Sequence, residues 1–244
     1  ATFLIYFMVF AMPGDPIAAM FGDKQPPEAV LDRLREQYML DQPFIVQYLN
    51  YLGGILRLDF GTTFSGQDVM DVLARTFPVT LRLAIMAVLM AFILAIVIGA
   101  GSALLKGTIF DHAMLVVALI FIAVPIFVLS FLAQYFFGVQ LGWFSPTVGA
   151  NNGWNGLWLP AMVLAVSIYA TSMRLTRAST IETLGQDWVR TAYSKGLSRN
   201  RVIPVHVLRN SLIPMVTDTA TQFGVLMVGA TVTEGIFNVP GVGN

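Results

Sequence analysis

The chain contains no cysteine. That excludes disulfides, thiolate metal centres and thiol redox chemistry, and says nothing about compartment. Charge is almost as scarce. Asp, Glu, Lys and Arg make up 11% of the 244 residues, against roughly a quarter in a soluble domain. So few charges cannot clothe a water-facing surface. With 56% hydrophobic residues and a mean hydropathy of +0.72, the chain reads as an all-α polytopic membrane protein. The net charge is zero, which argues against nucleic acid as a partner. The only histidines, His112 and His206, are isolated, so no metal site is expected. No Gly-x-x-x-x-Gly-Lys-Ser/Thr loop is present, so the chain carries no phosphate cradle for ATP. Gly99-Ala100-Gly101-Ser102 is glycine-rich but lies in an apolar run, where small residues permit close helix packing.

What the chain does have is long apolar runs. Pro78–Leu105, Ala113–Phe137, Leu157–Met173 and Ser211–Thr233 are each long enough to cross a bilayer as helices. Ala1–Met12 is shorter and reads as part of a first span. A signal-peptide core is the alternative, but no basic leader precedes it and Pro13-Gly14-Asp15-Pro16 makes a poor cleavage site. Five spans are therefore expected. The odd count and the Pro240-Gly241-Val242-Gly243-Asn244 end lead us to expect a sixth after Asn244. Pro125 should kink the third span, and Arg82, near an outer end, can snorkel.

Charge sets the orientation. Residues 174–209 hold seven of the fourteen basic residues, offset only by Glu182 and Asp187. Basic loops stay cytosolic, so 174–209 and the linker 106–112 go inside. Residues 13–77, with nine acids and five bases, and the uncharged 138–156 go outside. The predicted organisation is a partial span over 1–12, an extracytoplasmic helical segment over 13–77, and a core over 78–244. Within 13–77, Val30, Leu31, Leu34 and Tyr38 fall at helical spacing after Pro26-Pro27-Glu28. Phe44, Ile45, Tyr48, Leu49 and Leu52 form a second stripe, and Ser65 to Asp68 looks like a capping box. Such a segment suits a helical cap or a docking surface for an outside partner.

The basic loop has its own design. Gly185 ends one helix, and Asp187 is expected to cap the next. Trp188, Val189, Ala192 and Tyr193 give that helix an apolar side, and Lys195 sits in its last turn. Gly196 fits the left-handed position after a helix, and Ser198 opens another helix toward Arg209. The result is a capped elbow able to lie in a partner's groove. In the last span, Thr217, Asp218, Thr221 and Gln222 are grouped by i, i+4 spacing. A charged side chain there should face protein or a watery path, so they read either as pathway lining or as hydrogen-bonded glue between helices.

Thr191-Ala192-Tyr193-Ser194-Lys195-Gly196 resembles the Glu-Ala-Ala-x-x-x-Gly loop of ABC importer permeases. With His206, Arg209-Asn210 and Ile213-Pro214, it is similar to the dipeptide/oligopeptide/nickel group. The resemblance extends along nearly the whole chain through Leu40-Asp41-Gln42-Pro43, Gln47-Tyr48, Gly53-Gly54, Asp59-Phe60-Gly61-Thr62, Pro78-Val79-Thr80-Leu81 and Glu234-Gly235-Ile236-Phe237. Several pieces resemble the first of the two permeases such systems pair. Asp187 to Thr191 stands where the broad loop pattern has Glu-Ala, so only Ala192 and Gly196 match it strictly.

The resemblance implies a bacterial-type inner (plasma) membrane permease half for peptides, paired with a homologous second permease. Two cytosolic ATPase subunits, or one fused, would bind ATP and Mg, and an extracytoplasmic binding protein would deliver cargo. This chain itself would be no enzyme and hold no cofactor. Residues 186–197 would be the coupling helix in an ATPase groove, with Asp187, Trp188, Arg190, Thr191, Ala192, Lys195, Gly196 and Leu197 at the contact. His206, Arg209 and Asn210 would support the loop. Nickel chelates and glutathione-like solutes are alternative cargoes. More distant alternatives are an ATP-independent channel or secondary transporter, which would not need the elbow, and an intramembrane hydrolase, for which no His lies in a span and Asp218 has no partner Asp in another.

Overall fold

The computed structural model of the protein describes residues 2–10, 31, 42–63, 66–149 and 153–244. Two units divide the chain, residues 1–73 and 74–244. In the first, helix α1 (Thr2–Phe10) meets α2 (Phe44–Leu56) through aromatic rings. Tyr6 is buried among Phe44, Tyr48 and Tyr51, with centroids 5.7, 5.6 and 4.9 Å away. The stripe expected on α2 is therefore split: Phe44 and Tyr48 face α1, whereas Ile45 and Leu49 are exposed. Pro26 to Glu28, Val30, Leu34, Tyr38 and Ser65 lie outside the described residues. Asp68 caps the following helix, accepting from the Met70 N–H at 2.7 Å.

That following helix is α3 (Val69–Leu104), which contains Pro78. After it come α4 (Ile109–Ala123) and α5 (Ile126–Ala133), which continues as a wider π-helical stretch, Gln134–Gln140. A short turn, α6 (Gly153–Gly156), precedes the long α7 (Trp158–Leu184). The chain then forms α8 (Asp187–Ser194), α9 (Arg199–Val202), a π-helical Ile203–Leu208, α10 (Arg209–Ser211), α11 (Ile213–Gly229) and α12 (Thr231–Phe237). Helices α3 and α7 are long and apolar enough to cross a membrane, and two bent pairs, α4 with α5 and α11 with α12, reach the same length and apolarity only when each pair is taken together as one broken span. These correspond to four of the five predicted runs. The break at Val124-Pro125 is sharper than a kink: the two halves of the third run lie 103° apart. Pro125 has no N–H to continue the ladder, and Val124 before it takes extended angles.

Helix α7 is the axis of the second unit. Ala84, Ala87, Ala91, Ala95, Gly99 and Ala103 form a small-residue seam along α3 at three- and four-residue spacing. A Cβ on Gly99 would come within 2.7 Å of the Met173 carbonyl oxygen and 2.9 Å of Thr176 Cβ, so glycine there sets the closeness of α3 and α7. Leu83, Ala84, Ala87 and Val88 pack with Leu159, Val163 and Leu164 of α7 and Leu226 of α11. Further along, Ala91 and Ala95 join Ala118, Ala170, Met173 and Met215. The opposite side of α3 leaves Leu89, Ile93 and Val97 more than half exposed, as in a helix surrounded by apolar material rather than water.

One end of this unit is closed by a buried glutamate. Glu234 Oε1 accepts from the Thr80 hydroxyl at 2.6 Å, and Oε2 accepts from the Gly243 N–H at 2.7 Å. Thr80 Oγ1 also accepts from the Val242 N–H at 2.9 Å. Nearby, Gln134 Nε2 donates to the Pro146 and Ile236 carbonyls, and the Val148 N–H donates to the Phe237 carbonyl. Arg82 stands 5.4 Å from the Trp154 ring centroid, so its cation rests on an indole face.

Candidate functional site

At the other end of α7 the chain makes the elbow. The basic segment expected over 174–209 opens inside a helix, since α7 runs on to Leu184. Its polar last turns stay helical because their hydroxyls are satisfied within the helix: Thr176 donates to the Ser172 carbonyl and Thr183 to the Ser179 carbonyl. Gly185 ends the helix as expected.

The cap of α8 is one residue earlier than expected. Gln186 holds the N-cap position, while Asp187 is the first helical residue and makes no capping bond. Its carboxylate still sits at the positive end of the helix dipole. The other end closes as a Schellman motif. Gly196, at φ +80°, donates its N–H to the Tyr193 carbonyl, and Leu197 donates to Ala192. Ser198 holds the N-cap of α9 through its backbone alone. The rod then widens to a π-helix at Pro204, which offers no N–H and crowds the turn before it.

The elbow has a core of its own. Val189, Ala192, Val202 and Val207 are buried together, with Leu184 and Leu197 packed around them. So the apolar side of α8 divides. Val189 and Ala192 turn inward, and Leu197 is half-buried. Trp188 and Tyr193 face out, 49% and 43% exposed. Around these two rings lie exposed Asp187, Arg190, Thr191, Lys195 and Gly196. Arg190 and Asp187 approach only to 3.7 Å and are almost fully solvated, a contact of little energetic value. Arg209 and Asn210 are exposed and His206 is half-buried; the Asn210 amide donates to the His206 carbonyl at 2.8 Å.

A stiff two-helix stalk carries the elbow. Ser172, Thr176 and Thr180 recur every fourth residue along α7 and face the returning chain. Ser172 donates to Asp218 Oδ2 at 2.6 Å, Thr176 Oγ1 lies 3.1 Å from Met215 Sδ and shares its one proton between that sulfur and the Ser172 carbonyl, and Thr180 donates to Ser211 Oγ at 3.3 Å. This ladder separates the four residues grouped by sequence. Asp218 joins helix to helix, and Gln222 is half-buried. Thr217 and Thr221 are exposed, each bonded to a carbonyl one turn back. Sequence reasoning missed the ladder's α7 half, although a Ser/Thr repeat every four residues was its visible signal. It also missed a second tie: Arg177 pairs with Asp111, whose sequence separation left no local trace. Among the described residues no cluster of His, Cys, Asp or Glu could hold a metal ion.

Residues 91–244 match the family described as binding-protein-dependent transport system inner membrane component, and residues 1–84 match the N-terminal region of such membrane components. The chain belongs to this family of permeases of ABC transport systems, the group its elbow motif resembles. Among curated relatives, it is 36% identical to the glutathione transport system permease protein GsiC of Salmonella typhimurium. That match covers 98% of this chain and 78% of the relative. It is also 36% identical, over the same shares, to a protein of Brucella abortus named as a permease of a peptide transport system.

Proposed function

We propose that this chain is one half of the membrane pathway of an ATP-driven importer for peptides in a bacterial inner membrane, worked through its elbow by a cytosolic ATPase. The observation that supports this most is the elbow itself. It is a small cored unit on a hydrogen-bonded two-helix stalk, and it presents two half-exposed aromatic rings beside Arg190, Lys195 and Asp187. A short helix with outward aromatics is built for a groove, where such rings act as anchors. A homologous second permease completes the pathway, two ATPase subunits or one fused protein supply ATP and Mg, and an external binding protein delivers cargo. Thr217 and Thr221 are the polar groups we assign to the pathway face. A glutathione-like tripeptide is the second cargo reading, favoured by the name of the Salmonella relative.

ATP closing the ATPases would move their grooves and the elbow with them. A ligand shifts a two-state equilibrium only by its differential affinity for the two states, and inverting a 1:99 bias takes about 5.5 kcal/mol. A cored, capped elbow passes that displacement on, where a floppy loop would absorb it.

The test is on the outward rings. Trp188→Glu with Tyr193→Glu changes exposed residues, so the amount of protein in the membrane is expected to match the unmodified chain. Co-purification of ATPase subunits should fall to background. A complex recovered at the unmodified level would refute docking at this face.

A further inference from the structure

The Asp111 carboxylate is 1% exposed and accepts four hydrogen bonds from three parts of the chain. Arg177 meets it as a two-pronged fork, Nε to Oδ1 at 2.6 Å and Nη2 to Oδ2 at 2.7 Å. Ser102, near the end of α3, donates to Oδ1 at 2.7 Å. The Gly107 N–H, in the link between α3 and α4, donates to Oδ2 at 3.0 Å. Asp111 lies in the first turn of α4 and Arg177 lies on α7. One carboxylate thus joins α3, the α3–α4 link, α4 and α7.

We infer that Asp111 and Arg177 are positioning residues that carry the displacement of the elbow into α3 and α4. The inference rests on the docking reading above. Arg177 stands about two helical turns, or ~10 Å, before Leu184, which roofs the elbow core. The Ser172–Thr176–Thr180 ladder ties α7 to α10 and α11 on an adjoining face, so a displacement of the elbow is expected to carry these helices with it. Elsewhere α4 and α7 share an apolar cluster that includes Met114, Ala118 and Phe121 of α4 and Ala165, Tyr169 and Met173 of α7. Apolar contacts are non-directional and do not by themselves fix the register of one helix on another. A bidentate Arg–carboxylate pair fixes both distance and direction, and a lysine cannot reproduce the fork.

The test uses the assembled complex in proteoliposomes, with glutathione and trialanine as probes. Three quantities are read: ATPase subunits bound, ATP hydrolysed, and probe transported per ATP. In Asp111→Asn and Arg177→Gln we expect bound ATPase at the unmodified level, and transport per ATP reduced about tenfold, within the range of ordinary coupling free energies. Arg177→Lys keeps the charge without the fork and should recover part of the ratio. An unchanged ratio in an intact complex overturns the inference. So does a parallel loss of bound ATPase and transport in all three variants, which would make the pair a structural brace only. Failure of the unmodified chain to bind ATPase would instead defeat the docking reading, independently of these variants.

Discussion

Val202→Asp is expected to melt the elbow while leaving the spans in place. Val202 is fully buried against Val189, Ala192 and Val207. The residues of that core are all apolar, so an aspartate there would be a charge buried among apolar side chains, costing on the order of several kcal/mol. So small a core cannot absorb such a loss, and the helices on either side would separate. Helix α7 and the α3 seam lie outside this cluster and should survive. Hydrogen exchange measured by mass spectrometry should show residues 187–208 losing protection, with the buried face of α3 unchanged. Protection at 187–208 matching the unmodified protein would show that the elbow does not depend on this core. The same reasoning changes the meaning of a charge at Ala192. That residue faces the elbow's interior, so Ala192→Asp would strike the fold of the elbow before it struck any partner.

The second large effect is at the opposite end of α3. Thr80 and Ser102 are separated by about 33 Å of helix, close to the thickness of a bilayer's apolar core. Glu234→Ala removes both acceptors at once. It leaves the Thr80 hydroxyl and the Gly243 N–H without their partner in a site where Glu234 is 1% exposed and Thr80 is 2% exposed. An orphaned buried donor costs about 1–3 kcal/mol, and the Gly243 N–H is only partly buried, so a loss of roughly 1–4 kcal/mol is expected. Glu234→Gln should lose less, because its carbonyl oxygen keeps one bond. Thermal unfolding in detergent should therefore rank unmodified, Gln and Ala in descending order. Equal midpoints for Ala and the unmodified chain would show that the latch adds nothing to stability. Gly241 belongs to the same site: a Cβ there would run into the Glu234 carboxylate, so any side chain would pry the closing segment away.

Much of the architecture follows from local patterns. The α3 seam is visible as alanines and a glycine every third or fourth residue, and Gly196 marks the left-handed turn because only glycine enters that region without strain. Other features depend on partners distant in sequence. Asp187 has the chemistry of a cap, yet the helix begins at it rather than after it, a one-residue shift that composition cannot resolve. The polar stretch after Met173 belongs to a helix that Gly185 ends, but that its hydroxyls bond within α7 and across to α10 and α11 emerges only from the fold. Asp218 reads from sequence as pathway lining or interhelical glue, and its partner Ser172 emerges only from the fold. Arg177 is one of seven cations in a basic stretch, and only the fold sets it apart by bringing Asp111 to it. Glu234 is visible in a family motif, but its role as an acceptor for Thr80 emerges only when the ends of α3 and α12 meet.

The absence of native cysteine makes the central claim directly testable, because Trp188→Cys would be the only thiol in the chain. In the assembled complex, a thiol-directed photocrosslinker on that cysteine is predicted to capture an ATPase subunit, and in intact cells a membrane-impermeant maleimide is predicted to leave it unlabelled. Labelling from outside the cell, or a crosslink pattern lacking any nucleotide-binding subunit, would contradict the account.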